Sequence, residues 1–155
     1  MNIPSRKECL DILKNNGTPS NIITHCETVC KVAEDIAKKL IKKGIKVNKE
    51  LVIAGALLHD VERHKDNHVF RGAELITKVG YPKVVQVMLR HTLYQIKNNE
   101  PRTIEEKIVF YADKRVMHDK IVSMEERYRD LKERYNVDLR WEMEFSRKIE
   151  KELLG

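Results

Sequence analysis

Apolar positions along this chain recur at three- and four-residue spacing over most of its length, the pattern of helices that each hide one face. A first helix is predicted from about residue 5 to 15, opened by the capping box Ser5-x-x-Glu8 and stopped at Asn16-Gly17. A second begins near Thr18-Pro19 and runs to Gly44, with Ile22, Cys26, Val29, Ala33, Ile36, Ala37, Leu40 and Ile41 on one stripe and His25 at its edge. Asn48 caps a third, the run Leu51-Val-Ile-Ala-Gly-Ala-Leu-Leu that ends in His59-Asp60. That run is apolar on every side, as expected of a helix in the middle of a domain.

Further helices are predicted from about His68 to Val79, ended by Gly80, and from Pro82 through Val84, Val85, Val87, Met88 and Leu89 to His91. The capping box Thr103-x-x-Glu106 opens another, carrying Ile108, Val109, Tyr111 and Ala112 up to Asp113. Ser123-x-x-Glu126 opens a helix to about Tyr135, and Asp138 opens the last, through Trp141, Phe145, Ile149 and Leu153. The segments after Asp60 and around Lys97–Pro101 read as polar connectors. The expectation is a compact all-α single domain over residues 1–155, with about seven to eight helices. The helices over 123–154 are rich in Glu, Arg and Lys and hold no candidate ligand. They read as a scaffold or lid, or as a subunit contact that leaves a homodimer open.

Composition supports the helical class. Gly (6) and Pro (4) are scarce, and 41% hydrophobic with 35% charged residues fits one core under a charged surface. No apolar stretch approaches the ~20 residues needed to span a bilayer. The start, Met1-Asn-Ile-Pro, is not an apolar leader, so the expected location is cytoplasmic, without a membrane partner. The net charge of +6 permits an anionic partner, but bases and acids are interleaved. Lys38-Lys39 and Lys42-Lys43 read as a solvated helix face, and without aromatic interleaving nucleic acid is not the expected partner. Cys9, Cys26 and Cys30 are odd in number, which argues against a disulfide framework. Cys26 and Cys30 read as small buried hydrophobes rather than as ligands alongside His25.

The chemistry begins at His59-Asp60. A buried carboxylate is costly unless paired or metal-bound, and near a helix C-terminus it also faces the negative end of the dipole. A cation at that helix end removes both objections. Its other candidate ligands are His25, His68, His91 and Asp113, each near an end or edge of a different predicted helix. Imidazole with carboxylate suits Mn, Fe, Co, Ni or Zn, with Mg also open, and the absence of Cys argues against a closed structural zinc site. Taken singly, each residue has a plainer explanation. A lone histidine is usually a hydrogen-bonded core residue, and Asp113 could simply pair with Lys114 or Arg115. Five predicted helices contributing to one set outweighs those readings. His64 and His118, in charged surroundings, are expected at the surface.

The order His25 … His59-Asp60 … Asp113 resembles the H…HD…D signature of HD-domain metal-dependent phosphohydrolases. Its surroundings are similar too: His25-Cys-Glu-Thr-Val29, Gly55-Ala-Leu-Leu-His-Asp-Val and Tyr111-Ala-Asp113-Lys114 look like the family's motif helices. His68-Val-Phe-Arg-Gly72-Ala73 resembles a segment of its HDIG-type subgroup, and the likeness covers about residues 18–135. It implies that His25, His59, Asp60 and Asp113 bind one metal, and that His68 and His91 bind a second bridged by Asp60. The implied activity is hydrolysis of a phosphate ester or anhydride of a small phosphorylated molecule of nucleotide type, with a dinucleoside polyphosphate as a specific case. Asp60 and Lys114 would be the catalytic residues. Arg63, Arg71 and Lys114 would neutralise substrate phosphate, with surface ion pairs as the alternative for each. The chain departs from the subgroup in carrying His-Asp-Val-Glu for His-Asp-Ile-Gly. It also has Arg63 where some single-metal nucleotidases have Glu, which points away from that subtype. A rival reading is a non-catalytic HD scaffold that binds a nucleotide in a regulatory role, against which the complete ligand set counts. Gly55 and Ala56 are read as small residues that let the ligand-bearing helices pack closely.

Overall fold

A computed structural model describes residues 2–93 and 96–155, and among them finds eight helices and one two-stranded hairpin. The helices are α1 (Arg6–Asn15), α2 (Ser20–Lys42), α3 (Lys49–Leu58), α4 (His68–Lys78), α5 (Pro82–Leu89), α6 (Ile104–Asp113), α7 (Met124–Tyr135) and α8 (Arg140–Leu154). Local sequence explains most of the starts. Ser5 with Glu8 and Thr103 with Glu106 each form a reciprocal capping box, while Asn48 and Ser123 accept the Leu51 and Glu126 N–H groups at 3.1 Å.

The apolar run is the hub: α3 packs against α1, α2, α5 and α6. A Cβ added at Gly55 would lie 2.4 Å from Cγ1 of Val87 on α5 and 3.6 Å from Cγ2 of Val109 on α6. Glycine therefore lets α3 approach α5 more closely than any side chain would permit, as its place before His59 suggested. Around this contact a hydrophobic core extends from Cys9 on α1 to Leu153 on α8, and Cys26 and Cys30 are buried, as expected. On the far side, α8 docks on α6 through Phe145, edge-on to Phe110 with centroids 5.9 Å apart.

Four details differ from the sequence reading. The segment after Asp60 is not wholly a solvated connector: Val61 and Glu62 are buried, and the Thr18 hydroxyl donates to the Val61 carbonyl at 2.9 Å. The last helix starts at Arg140 rather than Asp138, because the Asp138 carboxylate accepts from both the backbone and the guanidinium of Arg140. Trp141, placed on the apolar stripe, is 55% exposed and stacks on Phe145. A short antiparallel hairpin, β1 (Val116–Met117) and β2 (Lys120–Ile121), follows α6 and was not legible as strand. Among the described residues no helix is long and apolar enough to cross a membrane.

Candidate metal centre

Helix ends converge on one point. α3 stops at Leu58 and delivers His59 and Asp60, α6 delivers Asp113 as its last residue, and α2 contributes His25 from its N-terminal part. Ligand atoms of His25, His59, Asp60 and Asp113 all lie within 4.8 Å of one another, and all four residues are buried. Nε2 of His25 is 3.4 Å from both Oδ2 of Asp60 and Oδ1 of Asp113, and Nε2 of His59 is 3.3 Å from the same two atoms.

The orientation of the rings is set from behind. Nδ1 of His25 bonds the His118 carbonyl at 2.7 Å, and Nδ1 of His59 bonds the Ala56 carbonyl at 2.6 Å. Nδ1 of His91, just past α5, bonds the Met88 carbonyl. A carbonyl only accepts, so each Nδ1 carries the proton and each neutral ring presents a bare Nε2 lone pair. Nε2 of His25, Nε2 of His59, Oδ1 of Asp60 and Oδ1 of Asp113 have no hydrogen-bond partner despite burial. Lone pairs facing carboxylates in a buried space repel one another unless a cation lies between them.

The fit to a metal follows from these orphaned atoms. Bonds of ~2.0–2.2 Å to a first-row cation set neighbouring ligand atoms about 3.0–3.5 Å apart. The imidazole-to-carboxylate separations are 3.3 and 3.4 Å. The residues therefore fit a divalent transition metal, which would be held by His25, His59, Asp60 and Asp113.

Without a cation the cluster holds protons instead. Burial opposes charging of His59, but Asp60 and Asp113 outweigh it and raise its pKa to about 10. His25 is raised by the same two carboxylates against the same burial penalty. Asp60 is held well below the ordinary range: burial works against this, and the His59 charge prevails. Asp113 is likewise lowered, against burial, by Lys114 and the two histidines.

The remaining candidates divide. Nε2 of His91 lies 3.6 Å from Oδ1 of Asp60, the oxygen turned away from His25 and His59. Burial, then the His59 charge, push the His91 pKa down to about 4. His68, the first residue of α4, is half-buried and lies outside the four-residue cluster. Arg63 donates to Oδ2 of Asp60 at 3.1 Å and lines a cavity of about 260 Å³ over the centre. Lys114 is 2% exposed and does not line that cavity; its Nζ donates to Oδ2 of Asp113 at 2.8 Å and to the His91 carbonyl at 2.9 Å. Arg71 is not brought to the centre: it is exposed and lines a separate depression with Glu62, Glu74 and Lys78. His64 is exposed, as expected.

Sequence reasoning missed part of the cavity wall. His118, read as a surface residue, is exposed but lines the cavity, and its carbonyl orients His25. Asn21 on α2 and Arg127 and Arg134 on α7 also line it, so the helix that held no candidate ligand still faces the site. A backbone acceptor leaves no side-chain signal, and these arginines look like the other bases of α7.

The HD domain family matches residues 22–117, which include His25, His59, Asp60, His68, His91 and Asp113. The chain belongs to that family. It is 33% identical over 136 residues to an uncharacterised protein of Methanocaldococcus jannaschii, covering 77% of this chain and 80% of that one. It is 39% identical over 140 residues to a tRNA (cytidine(56)-2'-O)-methyltransferase of Picrophilus torridus, and 33% identical over 140 residues to one of Thermoplasma volcanium. Those two matches cover 80% of this chain but only 40% of each methyltransferase. No solved structure matches the chain.

Proposed function

We propose that the protein is a metal-dependent phosphohydrolase, cleaving a phosphate ester or anhydride of a nucleotide-type substrate with two divalent ions in its centre. The observation that carries this reading is the division of Asp60. Its Oδ2 faces His25 and His59, while its unpartnered Oδ1 faces His91. A carboxylate so placed suits a bridge between two cations. His25, His59, Asp60 and Asp113 would hold the first ion, and Asp60 with His91 and with His68, which feels the Asp60 charge, the second. Paired ions of this kind polarise a phosphoryl oxygen and lower the pKa of a water.

The chain's own groups do the rest. Asp60, acidic enough to stay ionised, keeps its charge on the metal side rather than storing a proton. Arg63 bonds Asp60 and lines the cavity, which places it to neutralise charge on substrate oxygens. Lys114 acts as a positioning residue that holds Asp113 and the His91 backbone. Arg71 has no part in the chemistry proposed here.

The test is metal analysis of the purified protein, then a hydrolysis screen over nucleotides and dinucleoside polyphosphates with Mn and Fe. Hydrolysis of a substrate in the screen by the wild type, with loss of both metal and turnover in Asp60→Ala, is the expected result. Retention of both in Asp60→Ala removes the enzyme reading. Nucleotide binding without any turnover replaces it with the non-catalytic module.

Two relatives are named for tRNA, which favours a second reading in which the substrate is an RNA. RNA, included in the same screen, separates the two.

A further inference from the structure

The α7 helix turns two arginines toward the metal cavity, Arg127 and Arg134, seven positions apart and therefore on one face, about 10.5 Å apart along the axis. They differ in depth. Arg127 is 5% exposed, and its Nε donates to the Asp113 carbonyl at 3.3 Å, which ties it to the metal end of the cavity. The Arg134 side chain is 36% exposed and belongs to the outer part.

Both reach the same carboxylate oxygen, Oδ2 of Asp130, at 3.7 Å from Arg127 and 2.8 Å from Arg134. One carboxylate shared by two guanidinium groups leaves a net positive charge on this wall. Arg63 adds a third guanidinium to the lining, where it is paired with Asp60, the acidic residue among the lining residues. The α7 wall therefore keeps one positive charge that Asp130 does not offset, apart from the groups at the metal ligands. Guanidinium forks match phosphate oxygens in pairs, and a charge-assisted bond of this kind is stronger than a neutral one.

We infer that Arg127 and Arg134 form a second phosphate site on α7, so that the substrate carries a diphosphate: one phosphate at the metal ligands, the next held by α7. Asp130 is the internal anion that keeps the two guanidinium groups in place until the substrate arrives. This inference rests on the phosphohydrolase reading for the identity of the first phosphate position, and it narrows that reading from phosphate esters to phosphoanhydrides.

The test compares two probes that resist hydrolysis, methylphosphonate and methylenediphosphonate, binding to the Mn-loaded protein by titration calorimetry. In the wild type the diphosphonate binds more tightly. Arg134→Gln, at a partly exposed position that should still fold, cuts the ratio of the two affinities by about tenfold with Mn content unchanged. An unchanged ratio in Arg134→Gln overturns the inference, and so does a wild type that does not prefer the diphosphonate. Turnover separates this outcome from the phosphohydrolase reading. A collapsed ratio in a protein that hydrolyses nothing keeps the subsite and removes the enzyme. Hydrolysis with an unmoved ratio does the reverse.

Discussion

Nε2 of His91 lies 3.6 Å from Oδ1 of Asp60, on the carboxylate oxygen that His25 and His59 do not face. The two sides of Asp60 can therefore be emptied separately. His91→Ala removes a group from one side and leaves the His25, His59 and Asp113 contacts in place. Its expected result is a drop from two bound ions to about one by elemental analysis, whereas His25→Ala loses the tighter ion as well. His68→Ala should resemble His91→Ala. Unchanged stoichiometry in both the His68 and His91 variants would leave a one-metal site.

Metal loading should strengthen as pH rises. In the metal-free protein His59 holds its proton up to about 10, so an entering cation must displace it. Apparent affinity is expected to increase by up to about tenfold per pH unit for each proton released, between pH 6 and 9. The stability of the metal-free fold moves the other way. A raised histidine pKa contributes stability that is fully present below the unfolded value near 6.5 and lost as pH climbs toward 10. His91 has the opposite sign: with its pKa pushed down to about 4, its contribution is present above about 6.5 and lost as pH falls toward 4. Calorimetry in two buffers of different ionisation enthalpy counts the protons; metal binding without proton release would contradict the assignment.

Much of this was readable before any coordinates, because the signals were local. Capping boxes at Ser5 and Thr103 fixed where α1 and α6 begin, and the uninterrupted apolar run of α3 marked the hub. The core of the candidate centre was legible for a related reason: His59-Asp60 made no sense as buried polar residues without a counter-charge. What could not be read depends on tertiary contact. Lys114 was read as a catalytic residue that neutralises substrate phosphate, yet it is buried behind Asp113, and its burial lowers its own pKa against the pull of that carboxylate. The hairpin at Val116–Ile121 has only two residues per strand, too few for a period to show. Arg127 differs from Arg129 only in which side of α7 it occupies, and the hydrophobic pattern of so charged a helix does not announce that.

Lys114 makes its own prediction. Replacing it with Met keeps most of the volume and removes the donor that holds Oδ2 of Asp113 and the His91 carbonyl. Groups that orient metal ligands typically contribute about 10–100-fold to metal affinity. Lys114→Met should therefore weaken metal binding by that factor while leaving turnover near wild type once metal saturates. Loss of turnover at saturating metal would instead assign Lys114 to the substrate.

Gly55→Ala tests whether the hub sets the metal centre. Alanine favours a helix over glycine by about 1 kcal/mol, so an unconstrained site would be stabilised. Here the new Cβ would stand 2.4 Å from Cγ1 and 3.1 Å from Cβ of Val87, which is itself buried. Val87 is packed in the core, so its Cγ1 cannot simply turn away and α3 and α5 must separate, whereas the Cβ contact alone needs only a few tenths of an ångström. Overpacking of this kind costs about 1–3 kcal/mol, enough to override the helical gain. Urea unfolding should show a net loss in Gly55→Ala, and the same substitution in a Val87→Ala background should cost nothing or stabilise. Because α3 delivers Asp60 and α5 delivers His91, separating them also stretches the 3.6 Å contact between those residues. The single variant is expected to bind the second ion more weakly than the first, and the double variant to recover it. A Gly55→Ala protein that is more stable than wild type in both backgrounds would show that α3 and α5 are not held apart by this contact.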